Sequence, residues 1–315
     1  MTSLTQTNPP VVLYGALRSG TTLIRLIFDA HPDICCPGES DFMVEALYSE
    51  EGTFKLDPEF LRENRIFLSS GLTVPEVTDG KAAFDSLLAE DRARDEKSHH
   101  ILIMHRRLRT MLRLYPDTRF IHLVRDPRDV AHSSIGMGWA GNTWFGVDHW
   151  IATENEWDTH SPEIPRDQVF SLRYEEMLEA PEETLTRLCD FIGVPYDPAM
   201  MSFSETSTYA PLDPRLAYQW RRKQTEDDVA DVEYKVSDML RTRGYALSGF
   251  PRRAPGLMRR LALLVQDKAS VWSIRLRRFG VVDSLIEVVT RRTGLKDLGK
   301  GARARMRAKQ IKYLK

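Results

Sequence analysis

The sequence predicts an α/β domain, with a mainly parallel β-sheet flanked by helices and a basic helical C-terminal extension. Three observations carry that expectation. Apolar runs of three to six residues recur, the first two closed by Gly15 and by Pro37-Gly38, as buried strands are. Between them lie segments with apolar residues at helical spacing, and this alternation favours parallel strands joined by crossover helices. Residues 250–315 hold 18 Lys+Arg and 4 Asp+Glu, a net of +14, whereas the preceding 249 residues hold 26 basic and 41 acidic, a net of −15.

The elements follow in chain order. Val11–Tyr14 is a strand that opens after Pro9-Pro10 and closes at Gly15. Thr21–Ala30, with Leu23, Ile24, Leu26, Ile27 and Phe28, is a helix stopped at His31-Pro32. Ile34–Cys36 is a second strand, ended by Pro37-Gly38, and residues 41–95 read as helical and loop-rich. Ile101–Met104 is a strand, Leu108–Tyr115 a helix, and Arg119–Val124 a strand leading into a helix from Asp129. Val169–Leu172 is a strand, Pro181–Ile192 a helix, and Glu226–Arg243 a helix closed by Gly244. At 315 residues, 42% of them hydrophobic, the chain has material for one large domain with an appendage. The expected division is a disordered segment 1–10, a domain over 11–249 and an extension over 250–315.

Mean hydropathy is −0.37, and no run approaches the roughly 20 apolar residues of a membrane span. Met1–Pro10 has neither a basic n-region nor a long apolar h-region. Cysteine occurs three times, as Cys35, Cys36 and Cys189, which argues for a reducing, cytoplasmic setting without a disulfide framework. No Cys/His group has zinc-ligand spacing, so no metal is expected.

The junction after the first strand reads Gly15-Ala-Leu-Arg18-Ser19-Gly20-Thr21-Thr22. Its spacing matches the P-loop pattern G-x-x-x-x-G-K-[ST], with Thr21 in place of lysine. Glycines permit a tight turn with inward N–H groups, and the following helix N-terminus favours an anion. Ser19, Thr21 and Thr22 add hydroxyl donors, and the positive charge moves to Arg18, inside the loop. A lysine at position 21 and a Mg²⁺-holding carboxylate would mark a small-molecule kinase, and that lysine is missing.

Gly15–Glu39, GALRSGTTLIRLIFDAHPDICCPGE, resembles the 5′-phosphosulfate loop of sulfotransferases that use 3′-phosphoadenosine-5′-phosphosulfate (PAPS). Arg119–Ile135, RFIHLVRDPRDVAHSSI, about a hundred residues on, resembles their 3′-phosphate segment. The similarity is to the branch that holds protein-tyrosine sulfotransferases and bacterial carbohydrate and lipid enzymes. It continues weakly through Leu172–Met177 and Gln219–Arg221, and it stops before the tail. It implies transfer of a sulfuryl group from PAPS, leaving 3′,5′-ADP, to a hydroxyl of a carbohydrate, lipid or small molecule.

The resemblance also implies roles for individual residues. Arg18, Ser19, Gly20, Thr21 and Thr22 would hold the 5′ end. Arg125 and Ser133, eight residues apart, would hold the 3′-phosphate, with Tyr174 against the nucleotide and Arg215 or Arg221 as a further basic group. Arginine offers a phosphate a forked pair of donors. Arg128 and Asp129 read instead as a solvated loop pair, and His122 as a packed histidine within its strand. Glu39 is the candidate general base, with Asp41 and Glu45 as fallbacks, because an attacking hydroxyl must lose a proton. Many relatives carry a lysine after the strand at 101–104, where this chain has His105-Arg106-Arg107. His105 or Arg106 would take that role. The acceptor pocket is expected from residues 41–100 and 136–165, the latter with Trp139, Trp144, Phe145, Trp150 and Trp157, whose faces could stack on a sugar, a phenol or a lipid chain, or simply pack.

A non-catalytic nucleotide-binding or membrane-docking protein is the other reading of the missing lysine, and the presence of Arg18 and Glu39 speaks against it. In the tail, Leu261, Leu264, Val265, Trp272, Leu276 and Phe279 can share one side of a helix over 255–280, beside five arginines. A second basic run covers Lys300–Lys315. An anionic membrane surface is one partner for such a tail. A fold-back contact or a homodimer is the rival. Nucleic acid is not expected, since the final run offers only Tyr313 for base stacking.

Overall fold

The computed structural model describes residues 10–251, 254–295 and 298–312. The segment expected to be disordered therefore lies outside the described residues except for Pro10, as does the end of the tail at Lys315. Contacts divide the chain into two compact units, residues 1–130 with 149–223, and residues 131–148 with 224–315. This differs from the expected cut at 249/250.

The first unit is built on a five-stranded parallel sheet of order β2-β5-β1-β6-β7. The strands are β1 (Val11–Gly15), β2 (Ile34–Cys35), β5 (His99–Met104), β6 (Arg119–Val124) and β7 (Val169–Arg173). β1 lies at the centre, with Leu13 beside both Ile103 of β5 and Ile121 of β6. Its side chains alternate between two cores. Val11 and Leu13 pack with the helices Thr21–Asp29 and Pro181–Ile192, through Ile24, Ile27, Leu185 and Leu188. Val12 and Tyr14 pack on the other face with the helices Gly80–Arg92 and Leu108–Leu114, through Phe84, Leu87 and Met111. A sheet covered on both faces explains why its strands read as continuous apolar runs. The three cysteines are buried thiols.

Residues 41–95 hold one element not foreseen, the hairpin β3 (Leu47–Glu50) and β4 (Thr53–Leu56). Its two turn residues, Glu51 and Gly52, have φ of 49° and 81°, the pair of positive values that a type I′ turn requires.

In the aromatic segment 136–165, two of the tryptophans simply pack. Trp150 is fully buried and donates its Nε1–H to the Arg125 carbonyl at 3.1 Å. Trp157 stacks on His122 with ring centroids 4.0 Å apart, and the Glu154 carboxylate reaches the same imidazole at 3.2 Å. These two tryptophans are therefore core, not acceptor wall. His122 is the packed histidine expected.

The second unit holds the helices Thr143–Gly146, Glu226–Thr242, Leu257–Phe279, Val281–Arg292 and Lys300–Lys312. Thr225 and Asp228 form a capping box at Glu226–Thr242. The 257–279 helix is tied to the loop at 137–142. Asn142 donates to the Leu263 carbonyl at 2.8 Å, and the Gly141 N–H donates to Asp267 at 2.8 Å. A Cβ on Gly141 would stand 2.5 Å from the Asp267 Cα, so glycine permits this approach. These ties are why residues 131–148 group with the tail. The expected single apolar stripe is also divided. Phe279 is buried and Trp272 and Leu276 half-buried, while Leu261, Leu264 and Val265 are exposed.

Trp157→Ala is expected to cost about 3–5 kcal/mol of stability, measured by denaturant unfolding. A loss below about 1 kcal/mol would contradict its placement in the core.

Candidate active site

The loop between β1 and the 21–29 helix is shaped by two glycines. A Cβ on Gly15 would lie 2.3 Å from the Leu123 carbonyl oxygen of β6. Gly20 has φ of 100°, and its Cβ would lie 2.3 Å from the Tyr174 ring. Arg18 also adopts a left-handed backbone, with φ of 71°.

Side chains from three other segments hold the loop's carbonyls. His105 Nδ1 lies 2.7 Å from the Gly15 carbonyl, His149 Nε2 2.9 Å from the Leu17 carbonyl, and Arg125 donates to the Arg18 carbonyl at 3.1 Å. A carbonyl only accepts, so each imidazole presents an N–H to the loop. The Ser19 N–H donates to the Ala16 carbonyl at 3.1 Å. The Ser19 hydroxyl is fully buried and, like Arg125 Nε, has no hydrogen-bond partner among the described residues. Buried polar atoms of this kind are costly unless a ligand satisfies them.

Arg18, Gly20, Thr21, Thr22, Arg125 and Tyr174 line one cavity of about 350 Å³, together with Tyr209, Asp213 and Leu216. The Arg125 guanidinium stacks on the Tyr174 ring at 4.5 Å. Burial lowers the pKa of Arg18; Tyr209 and Glu39 act against that, and Arg125 adds to it. Burial raises that of the Tyr174 phenol. The cavity thus gathers two arginines, hydroxyl groups and a helix N-terminus, a donor set suited to phosphate.

Other expected site residues lie elsewhere. Arg215 is 86% exposed and pairs with Asp213 at 3.0 Å. Arg221 stacks on Tyr218 and Trp220. Neither lines the cavity. Ser133 belongs to the second unit, on the helix Pro127–Met137.

Glu39 follows Gly38 and forms a parallel bridge with Ile103, which places it beside the carboxyl end of β5. Its side chain is exposed and borders two small cavities of about 130 and 160 Å³. The fallback carboxylates are engaged. Asp41 accepts the His105 backbone N–H at 2.8 Å, and Glu45 pairs with Arg106 at 3.3 Å. His105 is itself 3% exposed.

The segment after β6 requires a correction. Arg128 and Asp129 are not solvated, being 1% and 3% exposed. Arg128 donates to Asp126 at 2.8 Å and 2.6 Å and lies 3.8 Å over the Trp220 ring. Asp126 accepts the Trp220 indole N–H at 3.0 Å, and its own N–H donates to Glu175 at 3.0 Å. Asp129 accepts the backbone N–H groups of Trp220 and Gln219 at 2.6 Å and 3.0 Å. Mutual pairing and an aromatic cover make this burial possible. His149, Tyr209 and this network were not foreseen, because their partners lie 49–132 residues away or belong to an unpatterned loop.

A family model described as the sulfotransferase family matches residues 9–198. That is more than half of the chain, and the chain belongs to this family. Among its relatives, a protein-tyrosine sulfotransferase of Drosophila melanogaster is 25% identical over 207 residues, covering 62% of this chain and 40% of the relative. A putative protein-tyrosine sulfotransferase of Caenorhabditis briggsae is 28% identical over 203 residues, covering 61% and 68%. The chain thus spans two fifths of the length of the first of these relatives. In fold, it resembles the sulfotransferase domain from the curacin biosynthetic pathway, with TM-score 0.52 and 17% identity over 76% of this chain and 99% of that domain. The sulfotransferase domain of the Synechococcus PCC 7002 olefin synthase gives TM-score 0.50 at 22% identity, over 73% and 94%.

Burial pushes the Asp129 carboxyl up to about 6, with Arg125 pulling the other way. A raised acid pKa means that the folded state holds its proton longer than the unfolded state. The associated stability is complete below about pH 4 and lost as pH rises through about 6. Between those pH values wild type is expected to lose up to about 3 kcal/mol relative to Asp129→Asn. Parallel stability–pH curves for the two proteins would contradict it.

Proposed function

We propose that this protein transfers a sulfuryl group from PAPS to an acceptor hydroxyl. The observation that carries the reading is one cavity that brings Arg18, Gly20, Thr21, Thr22, Arg125 and Tyr174 together. The buried, unpartnered Ser19 hydroxyl and Arg125 Nε suit a ligand rich in phosphate oxygens. PAPS supplies an activated sulfuryl group on its 5′-phosphate.

The loop and Arg18 bind the 5′ end, and Arg125 binds the 3′-phosphate, with Tyr174 as the wall that orients its guanidinium. Glu39 takes the proton of the attacking hydroxyl as the new O–S bond forms. Arg18 offsets the negative charge left on the 5′-phosphate oxygen as the old S–O bond breaks. His105 acts here as a positioning residue, through its hydrogen bond to the Gly15 carbonyl. No step calls for a metal. The names of the relatives favour a phenolic hydroxyl, and carbohydrate, lipid and small-molecule hydroxyls are the other acceptor classes.

The donor test is thermal stabilisation. 3′,5′-ADP is expected to stabilise the protein by about 2.7 kcal/mol at a hundred times its dissociation constant, and ATP with Mg²⁺ is not. Equal stabilisation by 5′-AMP would overturn the assignment of Arg125.

In a transfer assay with labelled PAPS and a cell extract as acceptor source, Glu39→Gln is expected to keep 3′,5′-ADP binding and to lose about 10²–10⁴-fold in rate. A wild-type rate would place the base elsewhere.

A further inference from the structure

The second unit carries two exposed aliphatic stripes that its own packing does not use. On the 257–279 helix, Leu257, Met258, Leu261, Leu264 and Val265 are 73%, 78%, 48%, 43% and 67% exposed. Their spacing of 1, 3, 3 and 1 residues puts them on one face. On the 281–292 helix, Val281, Val282, Leu285 and Val289 are 56%, 68%, 50% and 54% exposed, again at helical spacing. The opposite faces are occupied. Leu263 and Asp267 are buried against Asn142 and Gly141, and Asp283, Ser284 and Thr290 are buried on the second helix. Large aliphatic side chains scattered singly on a surface mean little, but nine on two adjoining helices mark an interaction surface.

The charge around these stripes selects the partner. The second unit as a whole holds 21 basic and 11 acidic residues, a net of +10. Some of that charge is matched internally, with Arg259 paired to Asp231 at 2.9 Å and Arg305 to Asp283 at 2.6 Å. Arg291 reaches Glu287 at 4.0 Å, while Arg260 and Arg292 are exposed beside the stripes on the two helices that bear them. We propose that this face docks the protein peripherally on an anionic phospholipid bilayer. The aliphatic side chains enter the acyl boundary, while the arginines reach the headgroups on their apolar stems. Among the described residues no helix is long and apolar enough to span a membrane, so the mode is surface binding. A second copy presenting the same face would bring like charges together, which disfavours a symmetric dimer through it. A face of aliphatic rather than aromatic groups does not suit stacked bases. The proposal does not depend on the chemistry of the first unit.

The test is co-sedimentation of the full-length protein with phosphatidylglycerol/phosphatidylcholine vesicles and with pure phosphatidylcholine vesicles, at low and high salt. A variant carrying Leu261→Ser, Val265→Ser, Val282→Ser and Leu285→Ser alters exposed positions only, and its thermal midpoint is expected to match wild type. Binding is expected on the anionic vesicles at low salt, and to fall at least tenfold, about 1.4 kcal/mol, on neutral vesicles and in the variant. High salt should weaken it. Absence of binding to anionic vesicles at low salt, or undiminished binding by the variant, would overturn the proposal. So would a wild-type dimer in sedimentation velocity that the variant abolishes without any vesicle binding, because the face would then belong to a second copy.

Discussion

The candidate site depends on a loop that cannot hold its own shape. Residues 15–20 contain one internal turn, from the Ser19 N–H to the Ala16 carbonyl. The carbonyls of Gly15, Leu17 and Arg18 are fixed from outside by His105, His149 and Arg125. Two residues in the loop have positive φ, and one of them is Arg18, a conformation that costs a non-glycine residue about 1 kcal/mol or more. The surrounding hydrogen bonds and the close packing of Gly15 on β6 over-determine that conformation. They also explain why the loop tolerates two nearby arginines. Arg125 spends one donor on the loop's own backbone and spreads its charge over the Tyr174 ring, so Arg18 faces a partly satisfied neighbour.

Arg125 is placed in turn by the four residues C-terminal to it. Asp126, Arg128 and Asp129 form a buried network with Trp220 and Glu175 that joins the end of β6 to the helix Tyr174–Glu179 and to the short helix Trp220–Lys223. Buried pairs add little net stability but are expensive to break singly, so they act as a register device here. The backbone between residues 124 and 130 has one arrangement in which every carboxylate finds its donors. Arg125 is thereby presented towards the cavity by groups that never reach it.

The sheet and the loop were legible in the sequence because each is local. The apolar runs at 11–14, 101–104 and 119–124 announce strands buried on both faces, and the spacing of Gly15–Thr22 announces the tight strand-to-helix loop. The hairpin at 47–56 was missed although its Glu51-Gly52 turn is local, because glutamate is a rare choice for a positive φ. The rest was illegible for a physical reason. Arg-Asp-Pro-Arg-Asp has the composition of a solvated turn, and only the arrival of Trp220, about ninety residues later, makes it core. For Trp150 and Trp157 the sequence leaves stacking on a ligand and simple packing open, and only β6 and His122 set beside them decide for packing. Periodicity reports which side of an element is apolar. It does not report which distant partner covers a polar one.

The same limit applies to the tail, in the opposite direction. A net charge of +14 over residues 250–315 reads as one basic block, yet the structure sorts it into two populations. Arg259, Arg275 and Arg305 are consumed by Asp231, Glu287 and Asp283, and these pairs join helices within the second unit. Part of the charge that remains, Arg260 and Arg292, lies exposed on the two helices that bear the aliphatic stripes. Had the tail been only a solvated basic segment, those outward positions would be polar, since exposed Leu, Met and Val at helical spacing lower solubility and contribute nothing to the unit's own packing. Had it been only a packing appendage, the excess charge would have no role. Aliphatic stripes and surplus arginine on the same two helices are a combination that a bilayer surface satisfies at once, the side chains by burial and the guanidinium groups by attraction.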